Sequence, residues 1–104
     1  MIEFDLTDVD IIDTLANQLH YCPELTYVTV SSEIKKEDYS FDHAFGTESR
    51  FQYEPVNIEL VVQEQGKDVR EVLLSEDTVK TILPNRQYEA LLYYCQKEVE
   101  NHTM

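Results

Sequence analysis

Three histidines and two cysteines are the side chains of this chain best suited to ligate a soft metal or to serve as a thiol nucleophile and its base. His20 and Cys22 form one His-x-Cys pair, and His43, Cys95 and His102 are the residues that could complete a ligand set. Zinc sites are normally built from tight pairs such as C-x2-C or H-x3-H. Here there is one loose pair and no second, so no metal site is expected. Cys22 beside His20 or His43 is a conceivable thiol–imidazole arrangement, but no flanking pattern of a catalytic cysteine surrounds it. Asp8-Val9-Asp10 opens like a calcium loop; Ile12 then falls on the next ligand position and the required glycine is missing. Gly46 and Gly66 are the only glycines, which excludes phosphate-cradling and dinucleotide glycine loops. There is no G-x-S-x-G motif, and the many carboxylates show no spacing that singles out a pair for glycoside chemistry. The expectation is no enzyme, no cofactor and no metal.

The elements that would position any site are legible from periodicity. Met1 to Leu6 alternates apolar and acidic residues, as a short edge strand does. Thr7 reads as a helix N-cap with Asp8 and Asp10 in the first turn. Val9, Ile12, Ala16 and Leu19, widened by Ile11 and Leu15, form the apolar stripe of a helix from Asp8 to His20, ended before Pro23. Leu25 to Ile34 places Leu25, Tyr27 and Thr29 on one face and Thr26, Val28 and Val30 on the other, the pattern of an interior strand. Tyr39 to Tyr53 reads as an aromatic-rich hairpin turning at Gly46-Thr47-Glu48-Ser49. Its apolar phase then shifts by one residue at Val56, Ile58, Leu60 and Val62. A slip of one residue exchanges the two faces of a strand, so a bulge or break is expected near Pro55.

Gln65 to Asp68 makes a turn into a partner strand over Val69 to Leu74. Ser75 caps a short helix holding Val79, Ile82 and Leu83. Pro84 interrupts it by removing an N–H, and Asn85 restarts a helix whose buried stripe is Tyr88, Leu91, Leu92, Cys95 and Val99. Tyr93 and Tyr94 flank that stripe, so one of the two should be partly exposed. The order predicts a single α+β domain over residues 1–104: a small antiparallel sheet of three to five strands, with an N-terminal helix and two C-terminal helices packed on one face. Cys22 and Cys95 are expected as buried free thiols rather than a disulfide.

Charge is the chain's most unusual property. Its 104 residues carry 21 acidic against 8 basic side chains, a net charge of −13. Residues 1–52 hold 11 acids and 3 bases, and residues 53–104 hold 10 and 5, so the excess is spread along the chain rather than gathered into a tail. Self-repulsion of that size opposes compaction, yet 42% hydrophobic residues with four Phe and seven Tyr argue for a folded core. Such a chain is repelled by nucleic acid and by anionic membranes, so direct binding to either is not expected. No basic-then-apolar leader and no apolar run of ~18 residues is present, which points to a cytoplasmic protein (host cytoplasm if viral).

Carboxylates held at fixed spacing on a folded surface imitate the phosphates of a duplex and compete for lysine- and arginine-lined grooves. In size and charge the chain is similar to the DNA-mimic anti-restriction and anti-CRISPR proteins, a likeness of composition that covers no aligned motif and carries no site residues. The expected function is a non-enzymatic acidic inhibitor that occupies the basic surface of a nucleic-acid-binding protein. Helix 1 and the segment 33–54 would supply the contacts, with Asp10, Asp13, Glu37, Asp38, Asp42 and Glu48 acting by charge. The alternative is a structural or assembly protein that forms a homodimer or larger particle through an aromatic apolar face, for which the 39–53 segment is the candidate.

Overall fold

The computed structural model describes residues 1–43 and 46–103, with the side chains of residues 37–51 and Thr103 outside that description. Its elements are β1 (Ile2–Asp5), α1 (Val9–Leu19), a 3-10 turn (Pro23–Leu25), β2 (Thr26–His43), β3 (Gly46–Glu64), β4 (Arg70–Ser75), α2 (Glu76–Ile82) and α3 (Asn85–Thr103). The strands form one antiparallel sheet in chain order, β1-β2-β3-β4. This is the α+β architecture that the sequence predicts, with one N-terminal and two C-terminal helices.

Period-2 alternation decides what the sheet buries. On β2 Thr26, Val28, Val30 and Ser32 are buried; on β3 it is Ile58, Leu60, Val62 and Glu64, and on β4 Leu74. The apolar residues among these, Val28, Val30, Ile58, Leu60, Val62 and Leu74, meet Leu6, then Ile11 and Leu15 of α1, Val79 of α2, Leu83, and Leu91 and Cys95 of α3 in one core. The opposite face of the same strands, with Tyr27 and Leu73 more than half exposed, is left open to solvent. β2 is therefore interior in strand order, as expected, but only its even-numbered face is covered.

Two long strands replace the separate strand, hairpin and strand of the sequence reading. β2 pairs with β3 from Thr26↔Glu64 to His43↔Gly46, so residues 46–49 belong to a strand and not to the expected turn; residues 44 and 45 lie outside the described residues. β1 reaches β2 only at residues 29–32, and β4 reaches β3 only at residues 59–64. Beyond those contacts β2 and β3 continue as a two-stranded ribbon. At ~3.3 Å per residue the 18 residues of β2 span about 60 Å, which accounts for most of the 65 Å long axis.

The irregularity expected near Pro55 is present, centred on Asn57. Ser31 pairs with Glu59 but Glu33 pairs with Val56, so β3 carries one extra residue there. Asn57 takes φ 54°, a left-handed conformation that Asn tolerates better than most residues. Its Nδ2 donates to Glu33 Oε2 (2.8 Å), and the Ser32 hydroxyl is shared between the Glu33 and Val56 carbonyls (2.9 and 3.0 Å). The bulge is what switches the apolar phase between Tyr53 and Ile58.

Helix ends follow local chemistry, with two corrections. Asp8, not Thr7, caps α1, accepting from the N–H groups of Asp10 (3.0 Å) and Ile11 (3.3 Å). Val9 is exposed because it lies in the uncovered first turn, leaving Ile11, Leu15 and Ala16 as the buried stripe. Ser75 caps α2 as expected, accepting from Thr78 N, and the Pro84 carbonyl receives the Tyr88 N–H (2.9 Å) at the start of α3. No helix among the described residues is long and apolar enough to cross a membrane.

Candidate functional site

The described thiol and imidazole groups are spread over the end of α1, the α1–β2 link and α3. Cys22 is exposed, against the expectation of burial, because it sits in the link between α1 and β2. Cys95 is fully buried on α3, where removal from water pushes its thiol up to about 12 and keeps it protonated. Both are free. His20 is the left-handed C-cap of α1 (φ 57°), His102 is exposed at the far end of α3, and the His43 side chain lies outside the described residues. Among the described residues no group of three or more His, Cys, Asp or Glu is placed to hold a metal ion.

Among the described residues, the two carboxylates shifted from their ordinary range belong to structural networks. Asp8 also accepts from the Tyr94 hydroxyl (2.7 Å); that bond, followed by the two cap N–H groups, lowers its pKa against an opposing effect of burial. Tyr94 is raised by the same contact. One of the adjacent tyrosines is thus engaged, and the other, Tyr93, is the exposed one. Glu64 lies under the sheet end opposite the ribbon, accepting from Cys22 N and from both Nε (2.9 Å) and a terminal nitrogen of Arg70. The Cys22 N–H is the largest influence holding the Glu64 carboxyl down. Arg70 in turn stacks 4.6 Å over the Tyr21 ring. This cluster ties the α1–β2 link to β3 and β4.

The acidic side chains expected to touch a partner fall in two places. Asp10 is exposed and Asp13 partly exposed on α1, one turn apart on the helix layer. Glu37, Asp38, Asp42 and Glu48 stand on the ribbon, where Glu37 pairs with Gln52, Asp38 with Phe51, Asp42 with Thr47 and Phe41 with Glu48. Their side chains, and those of the aromatic stretch 39–51, lie outside the described residues. α1 begins just after β1, whose last pair is Asp5↔Thr29. Asp42 is 13 residues further along β2, about 43 Å at ~3.3 Å per residue. An ordinary interface patch of about 800 Å² does not reach that far, so the two groups serve one partner only if that partner is long.

Two surfaces carry groups that the sequence reading did not assign. One is an open cleft of about 440 Å³ lined by Glu33, Asn57, Ile58, Glu59, Ser75, Glu76 and Asp77, with the Asn57 bulge in its wall. Glu76 there accepts from the Tyr88 hydroxyl (3.2 Å). The other is the uncovered sheet face, where Tyr27 and Leu73 are exposed, with Leu25 and Val69 exposed immediately before β2 and β4. Alternation in the sequence separates Tyr27 from Val28, but it does not say which of the two faces the helices cover. Of the acidic residues whose side chains are described, Glu64 alone is buried; the rest lie at or near the surface. No family model matches this chain, and neither a curated protein nor a solved structure is significantly similar to it.

Proposed function

We propose that this chain is a non-enzymatic binding protein that uses its acid-coated, elongated surface to occupy the basic surface of a nucleic-acid-handling protein. The observation that carries the reading is the distribution of charge: a net charge of −13 on a body 65 Å long amounts to about one per 5 Å, against one per ~1.7 Å in a DNA duplex. That is roughly a third of the linear density of the polymer such a groove is built to receive, and among the acids whose side chains are described only Glu64 is buried. The long axis matches almost two turns of B-DNA at about 34 Å each. Asp10 and Asp13 on one layer and the ribbon acids beyond it would then engage successive parts of one groove. Inhibition of host defence, as by anti-restriction or anti-CRISPR proteins, is the biological setting that this reading favours.

The test is capture from lysate of the source cell, or of its host, at low salt and at about 0.5 M salt, where the Debye length falls to roughly 4 Å. Retention of a nucleic-acid-binding protein at low salt and its loss at high salt is the expected result. Recovery of the chain alone, indifferent to salt, contradicts the reading and favours the alternative, a homodimer or larger assembly. The exposed Tyr27, Leu73 and Tyr93 are what favours that second reading.

A further inference from the structure

Two of the large hydrophobic side chains that the described residues expose, Tyr27 and Leu73, lie on the one sheet face that no helix covers, and two more, Leu25 and Val69, are exposed immediately before β2 and β4. Register places Tyr27 and Leu73 on neighbouring rungs of that face. Thr29 pairs with Val61 and Val61 with Leu73, Tyr27 pairs with Gln63 one step away, and Leu25 O accepts from Gln65 N (2.9 Å) at the same end. The result is an apolar strip running across β2, β3 and β4. Acids border it: Asp5 opposite Thr29, Glu3 opposite Ser31, Glu59 between Ser31 and Ser75, and Glu71 opposite Gln63. All four are exposed.

We infer that this face docks an amphipathic helix of a partner protein, one whose apolar stripe is bordered by lysines or arginines. The inference rests on the reading of the chain as a binder of basic proteins, but moves the contact from α1 and the ribbon to the open sheet. Three strands ~4.8 Å apart make a strip about 10 Å wide, the diameter of one helix rather than of a second sheet. A helix laid there would complete a three-layer packing, since the other face already carries α1, α2 and α3. Charge selects the partner. A second copy of this chain would set Glu3, Asp5, Glu59 and Glu71 against their own kind on a body of net charge −13, whereas a lysine-bordered helix neutralises all four.

The full chain is titrated with a synthetic helix of about 18 residues that has a leucine stripe flanked by lysines, and with a scrambled peptide of equal composition that has no stripe. Backbone and methyl NMR shifts locate the contact, and anisotropy gives the affinity. Binding of the striped peptide, with shifts at Tyr27, Val61 and Leu73, is expected, and Leu73→Ser or Tyr27→Ser should each weaken it about tenfold. Both positions are more than half exposed, and an unchanged circular dichroism spectrum shows that the fold is kept. Equal binding of the two peptides, with shifts confined to α1, overturns the sheet-face assignment and leaves the broader reading standing. Binding of neither peptide overturns the inference, while the broader reading stands or falls by the salt-dependent capture. A concentration-dependent dimer that Leu73→Ser abolishes also overturns the inference, in favour of a second copy.

Discussion

Removing the Asp8 carboxylate tests how the first helix is held to the last. Asp8 accepts three hydrogen bonds: two from its own helix, at Asp10 N and Ile11 N, and one from Tyr94 OH on α3. Asp8→Ala deletes all three. Loss of an N-cap costs about 1 kcal/mol, with a range of roughly 0.5–2, and the severed link to α3 places this variant in the upper half, about 1–2 kcal/mol. For a domain of this size that lowers the thermal midpoint by roughly 5–10 °C. Asp8→Asn keeps the cap and loses only the charge, so it should fall less than half as far. The pH dependence has a definite sign. The folded pKa of Asp8 lies below its unfolded value, chiefly through Tyr94, so its charge stabilises the fold above the unfolded pKa. That contribution disappears as pH falls through the folded pKa, and wild type and Asp8→Asn must converge in strong acid. Thermal melts at neutral pH and near pH ~2 supply both numbers. An unmoved midpoint for Asp8→Ala, or a gap to Asp8→Asn that widens on acidification, would refute the argument.

Other consequences are equally direct. A thiol reagent should modify one cysteine of the native protein, the exposed Cys22, and a second only after unfolding, because Cys95 is buried with its thiol pushed up to about 12; rapid labelling of both would contradict the core assignment. At Asn57, with φ 54°, Ala should cost about 1–2 kcal/mol in urea unfolding and Gly less, since glycine keeps the left-handed backbone and loses only the bond to Glu33. An Ala variant as stable as wild type would mean that the bulge is not built as described. Leu91→Ala, at a fully buried position where α3 meets the sheet, should cost about 2–5 kcal/mol, and a loss below 1 kcal/mol would show that α3 is not seated there.

Strong local signals in the sequence carried most of the fold. The 3.6-residue stripes of α1 and α3, the Ser75 cap and the Pro84 break each rest on contacts within a few residues, and each is found where the pattern places it except for Val9, which is exposed at the start of α1. What failed depended on distant partners. Pairing of residues 40–42 with 47–49 turns an apparent turn into strand, because ladder hydrogen bonds override the turn preference of Gly46-Thr47-Glu48-Ser49. The phase change near Pro55 was visible, but its cause was not: proline draws attention, while the unusual backbone belongs to Asn57 two residues later. Cys22 resembles Cys95 in composition and differs only in what packs over it. The acids were legible as a set, but their division between α1, the ribbon and the sheet face follows from docking that no local pattern encodes. Leu25, Tyr27, Val69 and Leu73 likewise read as ordinary strand residues until the covered face is known.

The central claim is that this chain takes the place of nucleic acid on a basic protein. The most direct measurement is competition: the captured partner is bound to labelled duplex DNA, the chain is titrated in, and the titration is repeated from about 0.05 M to about 0.5 M salt. The account predicts that the chain displaces the DNA completely and that its affinity falls steeply and linearly on a log–log plot against salt. A ternary complex in which chain and DNA bind together, or an affinity unchanged by salt, would contradict it.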